Sequence, residues 1–167
     1  MMWRGRFAAR VGLGLLALVG IGFALRVWGI ERYGLWIDEI TTAQCLELPL
    51  RRVLDCYWVQ VGSPMVFVAT NLVYTLFGRM PLPAPEWMVR LPEVLAGTLT
   101  IPAAWLAARE WLGARGAWLN AVLWTFAPTA VAYSQEARMY AWLMLFSNLL
   151  RWLPNTRMSC VLNVGAR

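Results

Sequence analysis

The sequence predicts an all-α fold: a polytopic membrane helix bundle of about four transmembrane helices plus an interfacial juxtamembrane helix in the first external loop. Three observations predict it. Apolar residues make up 60% of the 167-residue chain, charged residues only 14%, and the mean hydropathy is +0.53; so apolar a chain of this size needs lipid around it. Long uncharged runs alternate with short charged segments. The basic residues, 15 in number and all arginine, sit singly or in pairs between those runs and leave a formal charge of +6. A nucleic-acid binder would gather them on one polar face, so nucleic acid is excluded as a partner and membrane topology is the better account of the charge.

The elements follow in order. Arg4, Arg6 and Arg10 precede an uncharged run from Val11 to Leu25, extended by Val27 to Ile30 around Arg26. This predicts a first membrane helix with a cytoplasmic N-terminus, retained as an anchor because no small-x-small cleavage site precedes Glu31. From Glu31 to Asp55 the chain turns polar, a loop with short surface helices. Cys56 to Gly78 is uncharged again, but Gly62-Ser63-Pro64 leaves a helix from Pro64 to Gly78 that is too short for the roughly 30 Å hydrocarbon core. Ser63, Thr70, Asn71, Tyr74 and Gly78 fall on one side of it, and Met65, Val68, Ala69, Leu72 and Leu76 on the other. That stripe suits a helix at the outer interface or packed against a polar cavity.

Arg79 to Glu93, with Pro81, Pro83, Pro85 and Pro92, reads as a connection. Val94 to Ala108 is apolar, Arg109 to Arg115 is a short charged turn, and Gly116 to Gln135 is the longest spanning run. Met139 to Leu150 is a shorter apolar stretch, and the tail beyond Pro154 shows no membrane pattern. The chain therefore divides into a membrane portion, 1–153, and an atypical tail, 154–167. If the helix after Pro64 stays at the outer face, the Arg109 to Arg115 turn is cytoplasmic, in keeping with the positive-inside rule. The loops holding Asp38 and Glu136 then share the external side of the plasma membrane.

The chain has no histidine, which excludes serine-histidine triads and histidine-bound zinc and leaves carboxylates, arginine, tyrosine and amides to carry any chemistry. Cys45, Cys56 and Cys160 make no zinc spacing. Cys45 and Cys56 could pair in an oxidising loop, but three unlinked thiols are expected. The adjacent carboxylates Asp38 and Glu39 at the exit of the first helix can act as a general base, hold a divalent cation, or merely cap and solvate the loop; alone they favour the last. The second cluster, Tyr133-Ser134-Gln135-Glu136-Ala137-Arg138-Met139-Tyr140, sets an acid, an arginine and two phenols at one membrane surface. There Ser134 can cap the following helix and Arg138 can snorkel to headgroups or bind an anionic phosphate through its planar fork.

The segments Leu35-Trp36-Ile37-Asp38-Glu39, Arg90-Leu91-Pro92, Gly97-Thr98-Leu99-Thr100-Ile101-Pro102 and Tyr133 to Tyr140 occur in that order. Through them the chain, from about Arg10 to Leu153, resembles the N-terminal part of polytopic GT-C glycosyltransferases of the protein-mannosyltransferase-like group. The resemblance implies transfer of a sugar from a polyprenyl-phosphate-linked donor to an acceptor at the non-cytoplasmic face. It also implies catalytic roles for Asp38 and, in support, Glu39, a place for Arg138 at the carrier phosphate with Glu136 in the same loop, and sugar contacts for Gln135 and Tyr140. Where many relatives have a histidine before the juxtamembrane helix, this chain has Gly62-Ser63-Pro64. It also stops well short of the family's helix number, so a truncated enzyme, or one completed by a missing C-terminal half or a partner membrane chain, is expected. The competing reading is a non-enzymatic small membrane subunit that binds lipid or partner helices; a transporter ranks behind both because the long runs carry no ion path.

Overall fold

The computed structural model describes residues 2–45, 52, 64–78 and 84–164, with side chains placed from residue 11 to residue 153 within those ranges. Among the described residues every regular element is helical: α1 (Met2–Val27), α2 (Ile37–Gln44), α3 (Pro64–Leu76), α4 (Glu86–Phe126), α5 (Pro128–Tyr133) and α6 (Tyr140–Val164). Helix α4 lies at the centre and packs on α6, α1 and α3. By length and composition it is the described helix long and apolar enough to cross a membrane, with 41 residues and a mean hydropathy of 1.3 over its most apolar 18-residue stretch; Val11–Val27 and Pro64–Leu76 are apolar but shorter.

Helix α4 is not one straight rod. Gly113 breaks it with φ 66° and ψ −173°, a left-handed conformation that costs a residue with a Cβ about 1 kcal/mol or more. The amide of Asn120 donates to the Ala104 carbonyl at 2.9 Å across a sequence separation of 16, a span of about 24 Å along a straight helix. The Trp105 and Trp118 rings meet edge to face at 6.2 Å. The chain therefore reverses at Gly113, and α4 is a hairpin of two arms, 86–112 and 114–126. The charged turn expected at Arg109 to Arg115 lies at the tip of that hairpin.

The first arm begins earlier than the sequence suggested. Residues 86–93, expected to belong to a proline-rich connection, are helical, because Pro85 supplies an extended N-cap and Pro92 is accommodated inside the helix. The run from Gly116 to Gln135 is interrupted instead: Ala127 is non-helical and Pro128 opens α5. Helix α6 continues past Pro154 to Val164, so the last apolar stretch does not end at its proline. A proline deletes one N–H from the ladder without ending every helix that contains it.

Helix α3 turns Thr70, Asn71 and Tyr74 toward the protein, along with Val66, Phe67 and Val73, and leaves Met65, Leu72 and Leu76 outside. The polar side of the stripe thus packs on the bundle. Tyr74 and Val73 meet Met88 and Val89 of α4, Ala43 of α2 and Ala137 in a small core. That core is the floor of one end of the molecule, where the loops after α1 and α5 meet. At the other end Val11 and Leu15 of α1 pack on Trp105, Ala108 and Ala117 near the hairpin tip.

Candidate functional site

The site is assembled by two buried arginines. Arg26, near the end of α1, is fully buried and donates to Ser134 Oγ at 3.2 Å, to the Gly22 carbonyl at 3.0 Å and to the Trp124 carbonyl at 2.9 Å. The last contact has a sequence cause: the helical donor for Trp124 would be the N–H of residue 128, which is proline and has none. Ser134 Oγ in turn donates to the Ala130 carbonyl at 2.6 Å, so it does not cap the following helix as expected but ties α5 to α1. Gly97 makes the junction possible, since a Cβ there would collide with Ser134 and lie 3.1 Å from Arg26 Nε.

Arg90, in the first turns of α4, uses all of its N–H groups. Nη1 donates to the carbonyls of Ile30 and Tyr33 at 2.6 and 2.9 Å, Nη2 to that of Gly34 at 3.1 Å, and Nε and Nη2 grip the Glu39 carboxylate at 2.9 and 2.7 Å. Glu39 is equally occupied. Its Oε1 also accepts from the Ala137 N–H at 2.7 Å and its Oε2 from the Trp36 N–H at 3.1 Å, the second being half of a capping box at the start of α2. Burial raises the Glu39 carboxyl, but these hydrogen bonds from Arg90, Ala137 and Trp36 outweigh it and hold the group below its ordinary value. A carboxylate whose four lone-pair directions are filled has no place for a reacting proton. Glu39, expected beside Asp38 as a catalytic acid, is thereby a clamp joining the first loop, α2, α4 and the second loop.

Asp38, one residue earlier on α2, points the other way. It meets Arg138 of the second loop, Oδ2 to Nη1 at 3.1 Å, with the Asp38 side chain 58% exposed and that of Arg138 30%. Asp38, Arg138, Glu136, Tyr140, Trp36 and the rim of Glu39 line a cleft of about 230 Å³. Desolvation, with the nearby Glu39 charge, raises the Glu136 carboxyl above its ordinary value, only partly offset by Arg138 and Arg90. Tyr140 stacks at a tilt on Tyr133, ring centroids 4.7 Å apart. The same two tyrosines border a second, apolar cavity of about 470 Å³ lined by Leu123, Trp124, Ala130, Leu143 and Met144 among others. Cleft and apolar cavity are neighbours across one tyrosine.

Gln135, expected to position sugar hydroxyls, does not line the cleft. Its amide nitrogen donates to the carbonyls of Arg26 at 3.0 Å and Trp28 at 2.8 Å, with Leu25 at 3.4 Å, closing the open C-terminal end of α1. Of the expected site residues, Asp38, Glu136, Arg138 and Tyr140 converge, Glu39 braces them from beneath, and Gln135 braces them from the side. The structural importance of Arg90 escaped the residue-by-residue reading; its signal was an arginine set between Glu86 and Glu93 at the head of an apolar helix. Cys45 is disulfide-bonded, which corrects the expectation of three unlinked thiols. Among the described residues no three His, Cys, Asp or Glu side chains are grouped to hold a metal ion.

Among the described residues, all regular elements of which are helical, an acid–arginine cleft thus adjoins an apolar cavity. The comparisons carry this further. Residues 61–158, more than half of the chain, match the family described as dolichyl-phosphate-mannose-protein mannosyltransferase, and the chain belongs to that family. It is also 24% identical over 151 residues to protein O-mannosyl-transferase 1 of Mus musculus, covering 84% of this chain and 20% of that protein. The chain thus spans about one fifth of the length of the curated relative it matches. No solved structure matches it.

Proposed function

We propose that this chain carries the acceptor-activating and phosphate-binding part of a glycosyltransferase site, which moves a sugar from a polyprenyl-phosphate-linked donor to an acceptor hydroxyl at the non-cytoplasmic membrane face. The observation that carries the reading is the Asp38–Arg138 pair in a cleft adjoining the apolar cavity beyond Tyr140. That arrangement suits a ligand with a charged head and a hydrocarbon tail.

In the proposed reaction Asp38 accepts the proton of the acceptor hydroxyl as its oxygen bonds to the anomeric carbon. The bond from that carbon to the phosphate oxygen breaks, its electron pair leaves on the polyprenyl phosphate, and Arg138 stabilises the charge that develops there. Tyr140 contacts the sugar, and Glu136 faces the same cleft. Glu39 and Arg90 hold the two loops at their working separation.

In the membrane, α1, the two arms of α4 (the second continued by α5) and α6 make four crossings, while α3 lies against the external end. The disulfide at Cys45 supports an oxidising, non-cytoplasmic setting for the first loop, and Arg109 and Arg115 at the hairpin tip support a cytoplasmic setting for the opposite end. A further membrane segment, from a longer chain or a partner, completes the cavity. The test is to supply the C-terminal membrane portion of a related transferase and assay sugar transfer from a polyprenyl-phosphate donor. Asp38→Asn is expected to lower turnover by about 10²-fold or more; unchanged turnover would remove Asp38 from the chemistry.

A further inference from the structure

Two neighbouring acids on α2 are each met by an arginine, in opposite ways. Glu39 is 1% exposed and gripped by two nitrogens of Arg90, which has no N–H to spare. Asp38 and Arg138 touch through a single nitrogen–oxygen contact at 3.1 Å, both open to solvent, and the described hydrogen bonds include none from the remaining donors of Arg138. A buried forked pair is fixed, whereas an exposed single-contact pair holds weakly and exchanges readily. We propose that the Asp38–Arg138 contact is a latch: an anionic phosphate entering the cleft takes the Arg138 fork from Asp38 and thereby releases the carboxylate to act as base once the donor is seated.

The inference rests on the proposed lipid-phosphate donor and adds to it an order of events. While Arg138 is its partner, Asp38 Oδ2 is engaged by the guanidinium and is not free to accept from an incoming hydroxyl. A phosphate offers the guanidinium two parallel acceptors in place of one carboxylate oxygen, so it competes on geometry as well as charge. Glu136 is the second acid of the cleft, and a general loss of negative charge has to be separated from loss of this particular partner.

Farnesyl phosphate serves as the probe, titrated calorimetrically into the purified chain in lipid nanodiscs. Asp38→Asn is expected to bind it about two- to fivefold more tightly than the wild type, the range spanned by an exposed ion pair. Arg138→Ala is expected to weaken binding, and in that background Asp38→Asn should give no gain. Inorganic phosphate competing with the same dependence on Asp38 would support exchange with the phosphate itself, and a much higher affinity for the farnesyl ester would identify the lipid as its source. The latch is overturned if Asp38→Asn leaves the affinity unchanged, if its gain survives in Arg138→Ala, as a general loss of negative charge would, or if farnesol shows the same dependence. Absence of saturable farnesyl phosphate binding by the wild type removes the lipid-phosphate reading and the latch with it, a result distinct from intact binding that ignores Asp38.

Discussion

Glu39 and Arg90 set the rigidity of the site, and removing either leaves the other charged, buried and unpaired. Glu39→Gln or Arg90→Ala is expected to destabilise the fold by about 3–5 kcal/mol, measured by reversible unfolding in detergent. Arg90→Lys should not rescue it, since an ammonium cannot reach three carbonyls and both carboxylate oxygens. The Glu39 carboxyl is held below its ordinary value in the folded protein. Its contribution is therefore complete above the unfolded value and is lost as pH falls through the lower folded one, so acid sensitivity at the bottom of the carboxylate range should diminish in Glu39→Gln. Glu136 shifts the other way. It takes up its proton at a higher pH than an ordinary carboxylate, so farnesyl phosphate binding should strengthen as pH falls through that raised value. The part of the pH dependence due to Glu136 should vanish in Glu136→Gln, leaving the ligand's own titration as the remainder.

Among the elements, close approach is decided at Gly22 and Gly97, where a Cβ would run into Ile101 and Ser134 respectively. Gly97→Ala is expected to cost about 1–3 kcal/mol through overpacking and to loosen the Arg26–Ser134 contact; thermal unfolding in detergent measures the first. The amphipathic stripe of α3 was legible in its residues, because helical periodicity shows which side is polar whatever the helix packs against. The start of α4 was not. A proline-rich stretch reads as a connection until packing shows that Pro92 sits inside a helix whose lost hydrogen bond is offset by burial of Met88, Val89 and Val94. The continuation of α6 past Pro154 also escaped the sequence reading, because a proline at the end of an apolar run reads as a stop.

For the whole molecule, the loops after α1 and α5 are brought together at one end and the Gly113 turn lies at the other. The proposed membrane topology predicts that a cysteine at Arg32, in the loop after α1, is labelled by an impermeant thiol reagent in intact cells. A cysteine at Ala114 should be labelled only after permeabilisation, each measured against the parent chain. Labelling of Ala114→Cys in intact cells would overturn the proposed topology. The convergence of Asp38 with Arg138 was foreseeable in outline from the order of apolar runs. The side on which each loop emerges depends on how many of those runs cross, and that follows from where the chain turns back.

By itself the sequence determined that the chain is helical and apolar, that its basic side chains mark the ends of apolar runs, and that two polar loops carry the acids and the arginine worth testing. These are local properties, set by composition and periodicity. Only the tertiary structure divided the adjacent acids, giving Glu39 to Arg90 and Asp38 to Arg138, and gave Gln135 to the end of α1. The reason is geometric: residues next to each other on a helix point about 100° apart, so which of two identical charges reaches a cleft and which is buried depends on partners 51 and about 100 positions away, set by how the helices pack.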